Sequence, residues 1–108
     1  MENIEKINNE IFNNYLKNEN IKELYYNYDY NFLFDHILET INKYNIQLYN
    51  IEIINDLLYI RLNNLLINKD LKLNMLENLI KELNNNYCIS YYSFKDQLFI
   101  IEIEINFY

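Results

Sequence analysis

Apolar positions recur along this chain with two different periods, and the change of period marks its elements. The clearest run is residues 98–107. From Phe99 onward every second residue is apolar (Phe99, Ile101, Ile103, Ile105, Phe107), and Glu102, Glu104 and Asn106 fall between them. A period of two places alternate side chains on opposite faces of a β-strand. The isoleucines form the expected core face and the glutamates the wetted one. At about 3.3 Å per residue this strand spans roughly 30 Å, longer than the usual five or six residues.

Upstream the period becomes helical. Residues 2–18 carry Ile4, Ile7, Ile11 and Tyr15, with Phe12 and Leu16 beside them, against Glu5, Asn9, Glu10, Asn13 and Lys17. Residues 20–31 fit two templates. Ile21, Leu24, Tyr25 and Tyr28 are spaced for a short helix, whereas Tyr26 to Phe32 alternates as a strand would. We read a short helix or an irregular connection with packed tyrosines and leave it out of the element order. Residues 32–44 are helical again through Phe34, Ile37, Leu38, Ile41 and Tyr44. Asn31 is placed to cap the start and Asn45 the end.

A hairpin follows. Tyr49, Ile51 and Ile53 alternate with Asn50 and Glu52; after Asn55-Asp56, Leu58, Ile60 and Leu62 alternate with Tyr59, Arg61 and Asn63. A two-residue Asn-Asp loop suits a type I′ turn. Residues 63–68 connect to a helix over 69–84, with Leu71, Met75, Leu76, Leu79, Ile80 and Leu83 on one stripe and Glu77 and Lys81 as an i, i+4 pair. Asn84-Asn85-Asn86 stops it. A second hairpin runs over 87–94, a turn at Lys95-Asp96-Gln97, and the final strand. The order α-α-β-β-α-β-β predicts an α+β fold, two antiparallel hairpins making a four-stranded sheet with helices on one face. Leu38-Glu39 and Lys43 recur as Leu76-Glu77 and Lys81, a weak αββ repeat that relates 31–63 to 69–107.

Composition bounds what such a fold can do. The chain has 108 residues, 51 % of them hydrophobic, enough for one domain over 1–108 with a real core. A net charge of −7 repels nucleic-acid phosphates and anionic lipid, so neither is an expected direct partner. No apolar run approaches the roughly 20 residues needed to span a bilayer. The single cysteine, Cys88, precludes an internal disulfide; with no secretion-type leader pattern, a reducing, cytoplasmic setting is expected. Cys88 falls on an expected strand, as a small buried apolar residue. Gly, Pro and Trp are absent, as are Ala and Val, the signature of A/T-rich coding. Turns that need φ > 0 therefore fall to Asn and Asp.

The lack of glycine also removes the G-x-S-x-G elbow and the usual phosphate loops. The only histidine, His36, has Asp35 beside it and Glu39 one turn on, half a metal site without a third ligand. Thr40, Ser90 and Ser93 are the hydroxyl nucleophile candidates. An enzyme reading would rest on His36 alone, and no catalytic residue, cofactor or metal is assigned.

The tyrosines say more. There are twelve, and Tyr25, Tyr26, Tyr28 and Tyr30 cluster around Asp29. Tyr offers large contact area at low entropic cost. Glu52, Glu102 and Glu104 project from one sheet face, balanced by Arg61. These eight tyrosines and acids form the candidate partner-binding set, a surface suited to a basic site on a protein. The concrete version is a phage- or virus-encoded inhibitor of a host nucleic-acid-handling defence protein, of the anti-CRISPR kind, acting in the host cytoplasm. The alternative is an assembly subunit that self-associates through a sheet edge, as a homodimer. The final strand has neither Pro nor Lys within 100–107 and is unprotected if it lies at an edge.

Overall fold

The computed structural model describes the backbone of residues 3–28, 30–63, 69–84, 87–95 and 98–104, and the side chains of these except 69–73, 75, 76, 90–95, 98, 99 and 104. The elements are α1 (Ile4–Tyr15), α2 (Glu19–Asn27), α3 (Asn31–Lys43), β1 (Gln47–Ile54), β2 (Leu57–Asn63), α4 (Lys69–Leu83), β3 (Ile89–Lys95) and β4 (Leu98–Glu104). The class is α+β. The order differs from expectation, because three helices rather than two precede the first hairpin.

The additional helix is α2, and a cap decides it. Asn18 Oδ1 accepts from the N–H groups of Asn20 and Ile21 at 3.0 and 3.3 Å. Two donors that a helix start would leave orphaned are thereby satisfied. Ile21 and Leu24 then reach the core, while Tyr26 and Phe32 stand exposed and Tyr30 is buried. The alternation over 26–32 is a coincidence of two helices meeting. Nor does Asn31 cap α3: it is the first helical residue, and Tyr30 precedes it without a side-chain cap bond.

Asn45 does close α3. Its φ is 55°, its N–H reaches Asn42 O at 3.3 Å, and Ile46 N–H reaches Ile41 O at 2.8 Å. This is a Schellman motif, with the two buried isoleucines as its apolar contact. It turns the chain straight into β1. At the other end of β1, Asn55 and Asp56 have φ of 49° and 64° and join Ile54 to its partner Leu57, a type I′ hairpin.

Tyr49 was expected on the core face of β1 and is 53 % exposed. The reason is a bulge. Leu48 pairs with Leu62 and Asn50 with Arg61, leaving Tyr49 as the extra residue. Leu48 and Ile51, three apart, can then both point inward.

The sheet runs β1-β2-β4-β3, antiparallel throughout. The final strand is therefore internal, flanked by β2 and β3, which removes the reason for pairing it with another subunit. Its Ile101 and Ile103 are fully buried, with Leu58, Ile60 and Leu62 of β2 alongside. Phe12, Leu33, Phe34, Ile37, Ile41, Leu79, Ile80 and Leu83 cover this face from the helical layer. Ile105, Asn106, Phe107, the Asp96-Gln97 part of the second turn and the connection at 64–68 lie outside the described residues, as do the side chains of Leu71, Met75 and Leu76. Cys88 precedes β3 rather than lying on it and is exposed, not buried. Among the described residues no helix is long and apolar enough to cross a membrane.

The second strands of the two hairpins meet in the middle of the sheet, and the first strands form its edges. Exchanging α3-β1-β2 with α4-β3-β4 reproduces the same strand order. α1 and α2 stand outside that scheme. α1 packs against β1 and α3, and Asn8 pins it there. Asn8 is fully buried. Its Nδ2 donates to Asn42 Oδ1 at 2.7 Å and to Ile46 O at 2.9 Å, and its Oδ1 accepts from Leu48 N–H at 2.8 Å. The amide takes the C=O and N–H on either side of Gln47, as one rung of a parallel strand would. The start of the β1 edge is thus closed by a side chain.

Candidate functional site

The sheet's two faces differ in what lies on them. The helices cover the inner face; among the described residues, none packs on the other. The β1–β2–β4–β3 register builds that open face in cross-strand rows: Glu52-Tyr59-Glu102-Ser90, then Asn50-Arg61-Ile100-Tyr92, with Ile54-Leu57-Glu104 at the hairpin end. Adjacent strands are about 4.8 Å apart, so Glu52 and Glu102 are separated by roughly 10 Å with Tyr59 between them.

The row is bound together by its own groups. Arg61 Nη1 donates to Glu52 Oε2 at 2.8 Å and to Asn50 Oδ1 at 3.2 Å, and its guanidinium carbon lies 5.3 Å from the Tyr59 ring centre. Tyr59 donates its hydroxyl to Glu102. Its pKa is raised, by partial loss of water around the phenol and by the Glu102 carboxylate, with Arg61 opposing. Glu52 is half exposed in its pair with Arg61. Exposed ion pairs contribute about 0–1 kcal/mol, so an incoming cation can replace Arg61 at small cost. Glu104 takes its register position opposite Leu57, and its side chain lies outside the described residues.

The tyrosine cluster is elsewhere, in the helical layer, and most of it faces inward. Tyr30 is 8 % exposed and its ring packs 5.3 Å from Tyr87. Tyr28 is half-buried against the core. Tyr25 wedges between α1 and α3, 5.5 Å from Phe12 and 6.1 Å from Phe34, and its hydroxyl donates to Asp35 at 2.8 Å. Burial, with the hydrogen bond and charge of Asp35, pushes its pKa up to about 12. Tyr26 alone of the cluster is largely exposed. Asp29 lies outside the described residues. The structure therefore separates the eight candidates: Glu52 and Glu102 share the open face, and the tyrosines do not join them. Tyr59, which does, was legible as an outward position in the alternation of β2 but offered no reason to be weighed.

His36 lines a groove of about 260 Å³ between α3 and α4, with Thr40, Lys43, Tyr44, Leu79 and Glu82. Its Nε2 bonds Glu82 Oε2 at 2.8 Å and its ring stacks on Phe32 at 5.8 Å. Glu82 is a partner 46 positions away; neither Asp35 nor Glu39 makes that contact. Thr40 donates its hydroxyl to the His36 carbonyl, not to the ring, so the three are not in relay. Among the described residues no three His, Cys, Asp or Glu side chains are grouped to hold a metal.

Compared with known proteins, the chain matches no protein-family model, no curated protein and no solved structure. Its function is argued from its own residues.

Proposed function

We propose that this chain is a small non-enzymatic binding protein that docks the open face of its sheet onto a basic site of a protein partner. The observation that carries the reading is the Glu52-Tyr59-Glu102 row on a face that no helix among the described residues covers. A bare sheet face with two carboxylates flanking an aromatic presents charge and contact area together. The net charge of −7 adds long-range steering toward cationic surfaces. An inhibitor encoded by a phage or virus, holding the phosphate-binding site of a host defence nuclease in the host cytoplasm, is the concrete form. Tyr26, on the helical layer, is left as a separate contact.

The test is a titration against a guide-free RNA-guided nuclease, with duplex DNA as competitor. The expected result is mutually exclusive binding that weakens steeply with salt, and at least tenfold further in an E52K/E102K double variant. Binding unchanged in that variant, or no binding at low salt, would remove the open face from the proposal.

A further inference from the structure

The two αββ halves have corresponding edge strands, β1 and β3, and among the described residues β1 is the better protected. β1 has α1 beside it, the Asn8 amide on its Ile46 and Leu48 backbone groups, a bulge at Tyr49 and the charge of Glu52. Each is a known way to blunt a strand edge. Among the described residues β3 has no counterpart of α1, and its own register irregularity and its Lys95 lie at or beyond Tyr92, leaving Ile89–Tyr92 in regular pairing. Among the described elements only β4 and α4 pack closely on it, as β2 and α3 do on β1. Asn84 takes the Ile89 N–H at its very start, and nothing described lies along the rest of its outer side.

β3 is also the strand best suited to self-pairing by charge. β1 carries Glu52, β2 Arg61, and β4 Glu102 and Glu104, while β3 reads Ile-Ser-Tyr-Tyr-Ser-Phe before Lys95. Aromatic residues favour the extended state. In a chain of net charge −7 a strand without acids meets a copy of itself with the least local repulsion, because like charges set opposite one another destabilise a ladder.

We propose that β3 is a self-association edge, where it pairs antiparallel with β3 of a second copy. The two-fold axis stands normal to the sheet, the isologous arrangement of most homodimers. It joins the two sheets into one of eight strands, β1-β2-β4-β3-β3-β4-β2-β1. Both open faces then point the same way, and the two Glu102 rows lie side by side on one surface. A bivalent platform results, able to engage two basic sites on one partner.

Cys88, exposed and one residue before β3, reports the arrangement directly. Nitroxide-labelled chain is measured by pulsed electron–electron dipolar spectroscopy at rising concentration. In an antiparallel pair centred on Tyr91 and Tyr92, the two Cys88 positions lie roughly 25 Å apart, given about 3.4 Å per residue. The expected result is that distance, together with concentration-dependent protection of the amides of residues 89–95 and association that does not weaken as salt is raised. Y92K weakens association at least tenfold, and Y49K on the β1 edge leaves it unchanged. A monomer into the high-micromolar range, absent protection of β3 in the wild-type chain, or association lost in Y49K and kept in Y92K would each overturn the proposal. Docking of the open face on a basic partner is tested separately and can fail without touching this result.

Discussion

A buried amide stabilises a fold only while each of its ends is satisfied, and Asn8 meets that condition with three bonds to two segments more than thirty residues away. N8A would leave Leu48 N–H and Ile46 O buried without partners. Each orphaned group costs about 1–3 kcal/mol, so the two together give an expected loss of about 2–6 kcal/mol in urea unfolding. N8D, which turns a carboxylate oxygen toward Ile46 O and Asn42 Oδ1 in a fully buried site, should cost at least as much at neutral pH. Tyr25 gives a pH signature. Its hydroxyl is neutral in the fold up to about 12, against an ordinary value of 10.0. Stability from this group is present in full below pH 10, where both folded and unfolded phenols are protonated. It is lost as pH rises from 10 toward 12, because only the unfolded phenol ionises there. Wild type should therefore lose stability faster than Y25F over that interval, measured by alkaline urea titrations. Equal slopes would contradict the Tyr25–Asp35 hydrogen bond. Neither residue's role was readable from its neighbours. Asparagine in this chain reads as turn or solvated surface, and one of twelve tyrosines gives no sign of which carboxylate it will meet.

At the level of elements, a single added residue changed the face assignment of a strand. The regular alternation of β1 put Tyr49 inward; the bulge puts it outward and keeps both Leu48 and Ile51 in the core. Y49S should then change stability by no more than about 0.5 kcal/mol, as an exposed substitution does. I51A should cost about 2–5 kcal/mol through lost burial and the cavity left behind. Comparable losses in the two variants would restore the regular strand. Caps and turns behaved differently, because their chemistry is local. Asn55-Asp56 and Asn45 carry the positive φ values that glycine would otherwise supply, and Asn18 starts α2 with its own side chain.

For the whole molecule, charge sets two opposite salt dependences. Net repulsion among sixteen acids and nine bases opposes compaction, and the Arg61–Glu52 ion pair is partly exposed and weak. From about 0.01 to 0.15 M salt the screening length falls from about 30 to about 8 Å. The melting temperature should rise over that range, while affinity for a cationic partner falls. A melting temperature that dropped with salt would mean that attractive pairs outweigh the net charge. The strand order belongs to this scale too. It makes β4 internal, leaves β3 at an edge, and places the glutamates and the tyrosine cluster in different layers.

What the chain's order of residues settled by itself was local. Period two made the strands, period 3.6 made the helices, and asparagine at the right offset made the Asn45 cap and a type I′ turn. Each depends on atoms within a few positions of one another. The inner face of β4 was legible for the same reason, since Ile101 and Ile103 alternate with Glu102 whatever lies beside them. Only the tertiary structure decided which strands became neighbours, where the edges fell, that Tyr49 bulged out and that Asn8 went in. Those outcomes turn on packing and hydrogen-bond partners tens of residues apart, where one slip of register or one buried amide outweighs any local preference.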